Sequence, residues 1–166
     1  MNKAPFLIDE YGEWYYKGSK ITRKPMVKLF SSILIRKEDN TFHLKTPVED
    51  VLVEVLDVPY VVTSLDVVNN NNLIFISFVT NVDTEFIIGK DNPLWMEGKE
   101  DSNELIPYSL VNNGLIAKVS RSVYYELAGL LDTKKIKKII HTGIYSGHEF
   151  FILDKATSRN NFIQSR

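Results

Sequence analysis

The chain carries Ile21-Thr-Arg-Lys-Pro-Met-Val-Lys-Leu29 and, 98 positions further on, Val119-Ser-Arg-Ser-Val-Tyr-Tyr-Glu-Leu127. In both, a β-branched residue and a hydroxyl precede an arginine, and a leucine closes the match. A hydroxyl ahead of a helix accepts from its free first-turn N–H groups, and Pro25 is tolerable only near a helix start. Thr22 suits that role in the first segment, and Ser120 or Ser122 in the second. Met26, Leu29, Phe30, Ile33 and Leu34 then recur at the spacing of one buried helical face. Tyr124, Leu127, Ala128 and Leu131 do the same in the second segment. A turn glycine precedes each helix, Gly12 and Gly114, and a strand with a histidine follows each, His43 and His141. The unit is hairpin, hydroxyl–arginine, helix, strand, used twice.

Working outward, most of the chain alternates or runs apolar in short bursts bounded by turn formers. Phe6–Ile8 and Trp14–Tyr16 flank a turn at Gly12, and residues 41–46 form a strand stopped by Pro47. Residues 51–58, 60–68, 73–80 and 84–88 read as consecutive strands. Four asparagines at 69–72 mark a hairpin, because asparagine tolerates positive φ. Residues 107–111 and 115–119 pair around Asn112-Asn-Gly114, and a last strand pair lies around His141. The fold class expected is α+β: antiparallel sheets with two helices, in two similar halves. The first half spans 1–96 and the second 107–154. A polar, acidic linker at 97–106 separates them, and a flexible tail occupies 155–166.

Composition narrows the function. The 166 residues hold no cysteine, which excludes disulfides, thiolate metal sites and cysteine nucleophiles, and suits a reducing cytoplasm. Net charge is −1, so no global field draws the chain to nucleic acid or acidic lipid. The longest strongly apolar run, 73–79, is far short of the ~20 residues of a membrane helix. No membrane partner and no signal peptide are expected.

Ile8-Asp-Glu-Tyr-Gly-Glu-Trp14, Arg23, Thr46-Pro-Val-Glu49, Val58-Pro-Tyr60, Thr80-Asn-Val-Asp83, Pro93-Leu94, Val123-Tyr-Tyr-Glu-Leu127 and Tyr145-Ser-Gly147 fall in a characteristic order. In that order the chain, from about Phe6 to Leu153, resembles an uncharacterised bacterial family, domain of unknown function 1285. The resemblance implies an α+β fold of two similar halves and a role in signalling or regulation. It brings no catalytic residue set. The family's last motif reads Trp-Ser-Gly-Gly, whereas here Tyr145 replaces the tryptophan and His148 the second glycine.

Few residues look like chemistry. Ser146 stands near His148, but a nucleophile elbow needs Gly-x-Ser-x-Gly leading into a helix, and Gly143-Ile-Tyr-Ser-Gly147 leads into a strand. Ser146-Gly147 reads instead as a hairpin turn. His43, His141, His148 and Glu149 lack a metal-ligand spacing, so no metal or other cofactor is expected. Arg23 and Arg121 sit at helix starts, where a guanidinium and free N–H groups suit phosphate or carboxylate. The competing reading pairs each with a local acid such as Asp9, Glu49 or Glu126. Lys134, Lys135, Lys137 and Lys138 form a basic cluster with no interleaved aromatics, so nucleic acid is not the expected partner.

The chain is therefore expected to be a non-catalytic regulatory or ligand/partner-binding protein, with an exposed strand edge as a route to a homodimer. The rival is a small-anion binding protein or enzyme using a cleft with Arg23, Arg121, Tyr124 and Trp14.

Overall fold

A computed structural model describes residues 3–163. Phe6–Ile8 (β1), Trp14–Tyr16 (β2), Ser19–Lys20 (β3), the helix Lys24–Ser32 (α1), Leu34–Arg36 (β4), Phe42–Lys45 (β5) and Asp50–Val55 (β6) come first. Their strands make one six-stranded sheet in the order β3-β2-β1-β6-β5-β4. Tyr60–Asn70 (β7), Leu73–Thr80 (β8), Glu85–Ile87 (β9), Leu94–Gly98 (β10), Leu105–Asn112 (β11) and Leu115–Val119 (β12) follow. They make a second sheet, β10-β11-β12-β7-β8-β9. Helix Arg121–Ala128 (α2) leads to a three-stranded sheet of Asp132–Ile136 (β13), Ile139–Ser146 (β14) and Glu149–Ile152 (β15), and Asn160–Ile163 (α3) comes last.

The two large sheets share one topology. Each is a pair of three-stranded antiparallel meanders, joined at the centre by a parallel pair of its first and last strands. In the first sheet β1 runs beside β6, with Phe6 opposite Val53. In the second β7 runs beside β12, with Tyr60 opposite Ala117. The fold is thus mostly sheet, in two similar halves, as expected.

The correspondence between halves, however, lies elsewhere than in the two helix segments. Helix α1 links the third and fourth strands of its sheet, whereas α2 leaves the sixth strand of the other. The second sheet crosses from β9 to β10 through a loop alone. The expected linker at 97–106 is a hairpin inside the second sheet, where Glu97 pairs with Ile106 and Lys99 N–H bonds Glu104 C=O at 2.9 Å. The halves meet instead between β6 and β7.

The helices are shorter than their periodicity predicts. Helix α1 stops at Ser32, and Leu34 belongs to β4. It lies on Val27, Phe30 and Ser31, while Met26 and Leu29 stay exposed. Asp83 ties it down by holding Lys24 and Lys28 at 3.1 and 3.3 Å. Ser120 caps α2, its Oγ accepting from Val123 N–H, and the helix buries Val123 and Leu127 rather than Ala128 and Leu131.

One core joins all three sheets: Ile8, Trp14 and Val53 from the first, Val62, Ile76 and Phe78 from the second, and Ile144 from the third. Strand alternation sends Trp95, Tyr108 and Ile116 to the opposite face of the second sheet, where they form a smaller cluster. The segment after Asp154 covers that cluster and so is packed over its described part. Met96 bridges to Ala156, Thr157 N–H bonds Met96 C=O at 2.7 Å, and Phe162 stacks on Trp95 at 4.1 Å. Residues 164–166 of the expected tail lie outside the described residues.

Candidate functional site

The four residues expected to bind a ligand do not converge. Trp14 is 1% exposed and packs in the core between Phe6 and Phe30, so it offers a ligand no surface. Its apolar neighbours in the sheet draw it inward. Arg23 is the exposed N-cap residue of α1, and its side chain makes no capping bond. Arg121 is also exposed and donates to Glu104 Oε1 at 3.3 Å, so the local acid that claims it is Glu104. Arg121 and Tyr124 do share a cleft of 540 Å³ with Tyr11, Tyr125 and Lys118. Arg23 does not line it.

Ser146 is a structural residue. It is buried, its hydroxyl donates to Ile88 C=O at 2.6 Å, and its oxygen accepts from Ile76 N–H at 3.0 Å. His148 is exposed in the turn that follows. That turn is Gly147-His148, one residue later than expected. Gly147 has φ +61°, and a Cβ there would meet the Phe75 ring at 2.6 Å. His43 and His141 belong to different sheets, and each has its own acid. His43 Nδ1 is 2.6 Å from Asp50, and His141 Nδ1 is 3.2 Å from Asp154. Among the described residues no three of His, Asp and Glu group as metal ligands do.

A cavity of 970 Å³ is a polar groove between the halves, walled by α1 and β4 on one side and by the β11–β12 turn on the other. Its central cation is Arg36, the last residue of β4. The Arg36 side chain lies over Gly114, where a Cβ would come within 3.3 Å of Nη1. Arg36 Nη2 donates to Asn40 Oδ1, and Asn40 holds φ +68° to present it. The other lining cations are engaged: Lys37 with Asp50 at 2.6 Å and Lys28 with Asp83 at 3.3 Å. Arg36 makes no ion pair among the described residues, although Glu38 also lines the groove.

A smaller cavity of 280 Å³ shares Arg36, Asn40 and Gly114 with the groove and reaches Arg159. The two guanidiniums are electrostatically distinct. Burial and the Arg159 charge hold Arg36 below the ordinary arginine range. Burial also works against Arg159, but its hydrogen bonds and charge contacts to Glu97 and Asp57 outweigh that and raise it. Arg159 binds Glu97 at 2.7 Å and Asp57 at 3.1 Å and lies 5.0 Å over the Tyr108 ring. Tyr108 in turn donates to Asp57 at 2.7 Å. Arg159 is therefore committed within the protein, whereas Arg36 is a partly desolvated charge facing a cavity.

Tyr60 also lines the groove, and burial pushes its hydroxyl up to about 12, so it stays a neutral hydrogen-bonding group. The Ser31 and Ser32 hydroxyls in the groove lining donate to the carbonyls of Lys28 and Leu29.

Sequence reading missed Arg36, Asn40 and Arg159. Arg36 opens the charged run 36–40, which looks like a solvated helix end, and Arg159 sits in a polar tail. The one local signal was the Asp39-Asn40 turn, which shows that the chain reverses just after Arg36.

With this geometry in place, comparison with known proteins identifies the family. Residues 2–58 match the model described as domain of unknown function (DUF1285), N-terminal domain, and residues 59–153 match protein of unknown function (DUF1285), C-terminal domain. The chain belongs to the DUF1285 family. The boundary between the two models falls where the first sheet ends and the second begins. A DUF1285 family protein from Silicibacter pomeroyi DSS-3 is similar, with a TM-score of 0.82 and 34% identity, covering 91% of this chain and 80% of that one. Another, from Shewanella baltica OS155, has a TM-score of 0.61 and 28% identity, covering 76% of this chain and 91% of that one. No curated protein matches.

Proposed function

We propose that the protein is a non-catalytic binding protein whose ligand is a small anion held between its halves by Arg36. The observation that carries this reading is the Arg36 guanidinium in the inter-sheet groove, which has no ion pair among the described residues and lies beside Asn40 and the Asn112-Asn-Gly114 turn. A planar guanidinium matches the paired oxygens of carboxylate or phosphate, and an anion there would offset both its desolvation and the Arg159 repulsion. The arrangement offers donors from both halves, and the Ser31 and Ser32 hydroxyls are committed to backbone carbonyls, which supports binding rather than turnover.

A regulatory role fits the same site. A ligand touching β4 and the β11–β12 turn would bias how the two halves sit on each other, a route to signalling. A bacterial setting is in keeping with the organisms of the two structural relatives, and a cytoplasmic one is part of the same proposal.

Thermal unfolding with inorganic phosphate and small dicarboxylates, against chloride at equal ionic strength, tests it. At ten times its Kd a ligand adds about 1.4 kcal/mol, or about 3–5 °C for a chain of this size. The rise should saturate, vanish in Arg36→Ala and survive in Arg121→Ala. A rise that survives Arg36→Ala overturns the assignment, and so does the absence of any saturable rise.

A further inference from the structure

The hairpin β13–β14 extends the third sheet away from the body. Its base is anchored: Gly143 and Ile144 are buried, and Ser146 is locked to the second sheet. Its outer part is largely exposed. Every β13 residue from Asp132 to Lys135 is exposed, and so are Lys137, Lys138, Ile139 and Ile140. Ile139 is 59% exposed and Ile140 68%. From Thr133 to His141 there are four lysines and no acid, and none of the four makes an ion pair among the described residues.

The register distributes these groups on both faces. Lys134 lies opposite His141 and Ile136 opposite Ile139, which places them on one face. Lys135 lies opposite Ile140 on the other. Lysines on an edge strand protect it from unwanted pairing. That explains Lys134 and Lys135 on β13, but neither the isoleucines on β14 nor the turn. The turn is Lys137 (φ +50°) and Lys138 (φ +71°), both left-handed. Hairpin turns with two such residues strongly prefer Asn-Gly. The other two-residue turns of this kind comply with asparagine or glycine: Lys17-Gly18, Asn71-Asn72 and Asn113-Gly114. Lysines held in an unfavourable backbone region at a projecting tip point to a use for their charge.

We infer that the β13–β14 ribbon docks the protein on an anionic lipid surface, with the lysines on headgroups and the tip isoleucines at the acyl boundary. Charge complementarity selects an anionic partner, and exposed aliphatic groups at the same end select a bilayer over nucleic acid. The exposed outer part of the ribbon, from Asp132 to Ile140, has no arginine, amide or aromatic side chain to read or stack on bases. The sequence-based expectation of no membrane partner rested on the lack of a spanning segment and on the net charge of −1, a global figure that does not register a local cluster of lysines. No described helix is long and apolar enough to cross a membrane, and surface docking requires none.

The test is flotation of the full chain with phosphatidylcholine vesicles, with and without phosphatidylglycerol, at low and high salt. Binding should require phosphatidylglycerol and fall with salt. K137N/K138G supplies the preferred turn, so it should unfold no earlier than wild type. Each lysine near such a surface is worth about fivefold in partition, so this variant should bind about thirtyfold more weakly. Ile140→Ser should weaken binding as well. Three results overturn the inference: binding indifferent to lipid charge, retention on duplex DNA without vesicle binding, or a dimer broken by K137N/K138G without vesicle binding.

Discussion

Arg159 donates to Glu97 Oε1 at 2.7 Å, joining the polar C-terminal segment to an edge strand 62 residues earlier in the chain. Its second acidic partner is Asp57, at the junction of the two halves. Arg159→Ala strands two carboxylates in a half-buried site. Fully buried pairs broken this way cost 3–5 kcal/mol, so with the residual exposure here about 2–3 kcal/mol is expected. Arg159→Lys should recover only part of it, because a single ammonium cannot span both acids. Urea unfolding measures both.

The two tryptophans should respond differently to Phe. Trp14 Nε1 is buried with no hydrogen-bond partner among the described residues, so Trp14→Phe removes an unmet donor and costs about 0–1 kcal/mol. Trp95 Nε1 donates to Glu97 at 2.8 Å, so Trp95→Phe loses a charge-assisted bond and costs about 2 kcal/mol. Equal losses by chemical denaturation would contradict this account of the two sites.

Ser146→Ala should destabilise by about 1–3 kcal/mol, because it leaves Ile88 C=O and Ile76 N–H buried and unpaired. A fluorophosphonate probe should leave Ser146 unlabelled in the wild type, since its hydroxyl is committed and inaccessible. Labelling there would reopen the nucleophile reading.

Acid should unfold the protein in a defined window. Thr142 N–H, followed by His141, holds the Asp154 carboxyl below the usual range, and bonds from Lys24 and Lys28 do the same for Asp83. A depressed folded-state pKa gives stability that is present above the unfolded value of about 3.9 and lost as pH falls through the folded one. The thermal midpoint should therefore fall below about pH 4, and Asp154→Asn should make that fall shallower.

How much of this was legible in the sequence follows from how local each feature is. Hairpins were readable because their turns announce themselves, as at the asparagines 69–72 and at Asn113-Gly114. Strand β4 was not, because Leu34 continues the helical spacing of Phe30 and Ile33, and only the sheet decides that the chain leaves the helix at Ser32. The central parallel pairs were hidden because Phe6 meets Val53, and Tyr60 meets Ala117, across tens of residues with no local signature. The matching helix segments misled for the same reason: similar side chains served different positions in two sheets of equal topology. Arg36 and Arg159 were missed because a charged residue in a polar run looks solvated until the fold brings a cavity or an acid to it.

The most direct test of the Arg36 reading is a titration with inorganic phosphate, followed by the Nε–Hε resonances of the arginines by NMR. The account predicts that Arg36 moves and saturates together with the Gly114 amide, while Arg23, Arg121 and Arg159 stay in place. Movement at Arg121 with Arg36 unchanged, or unsaturable drift at all four, would contradict it.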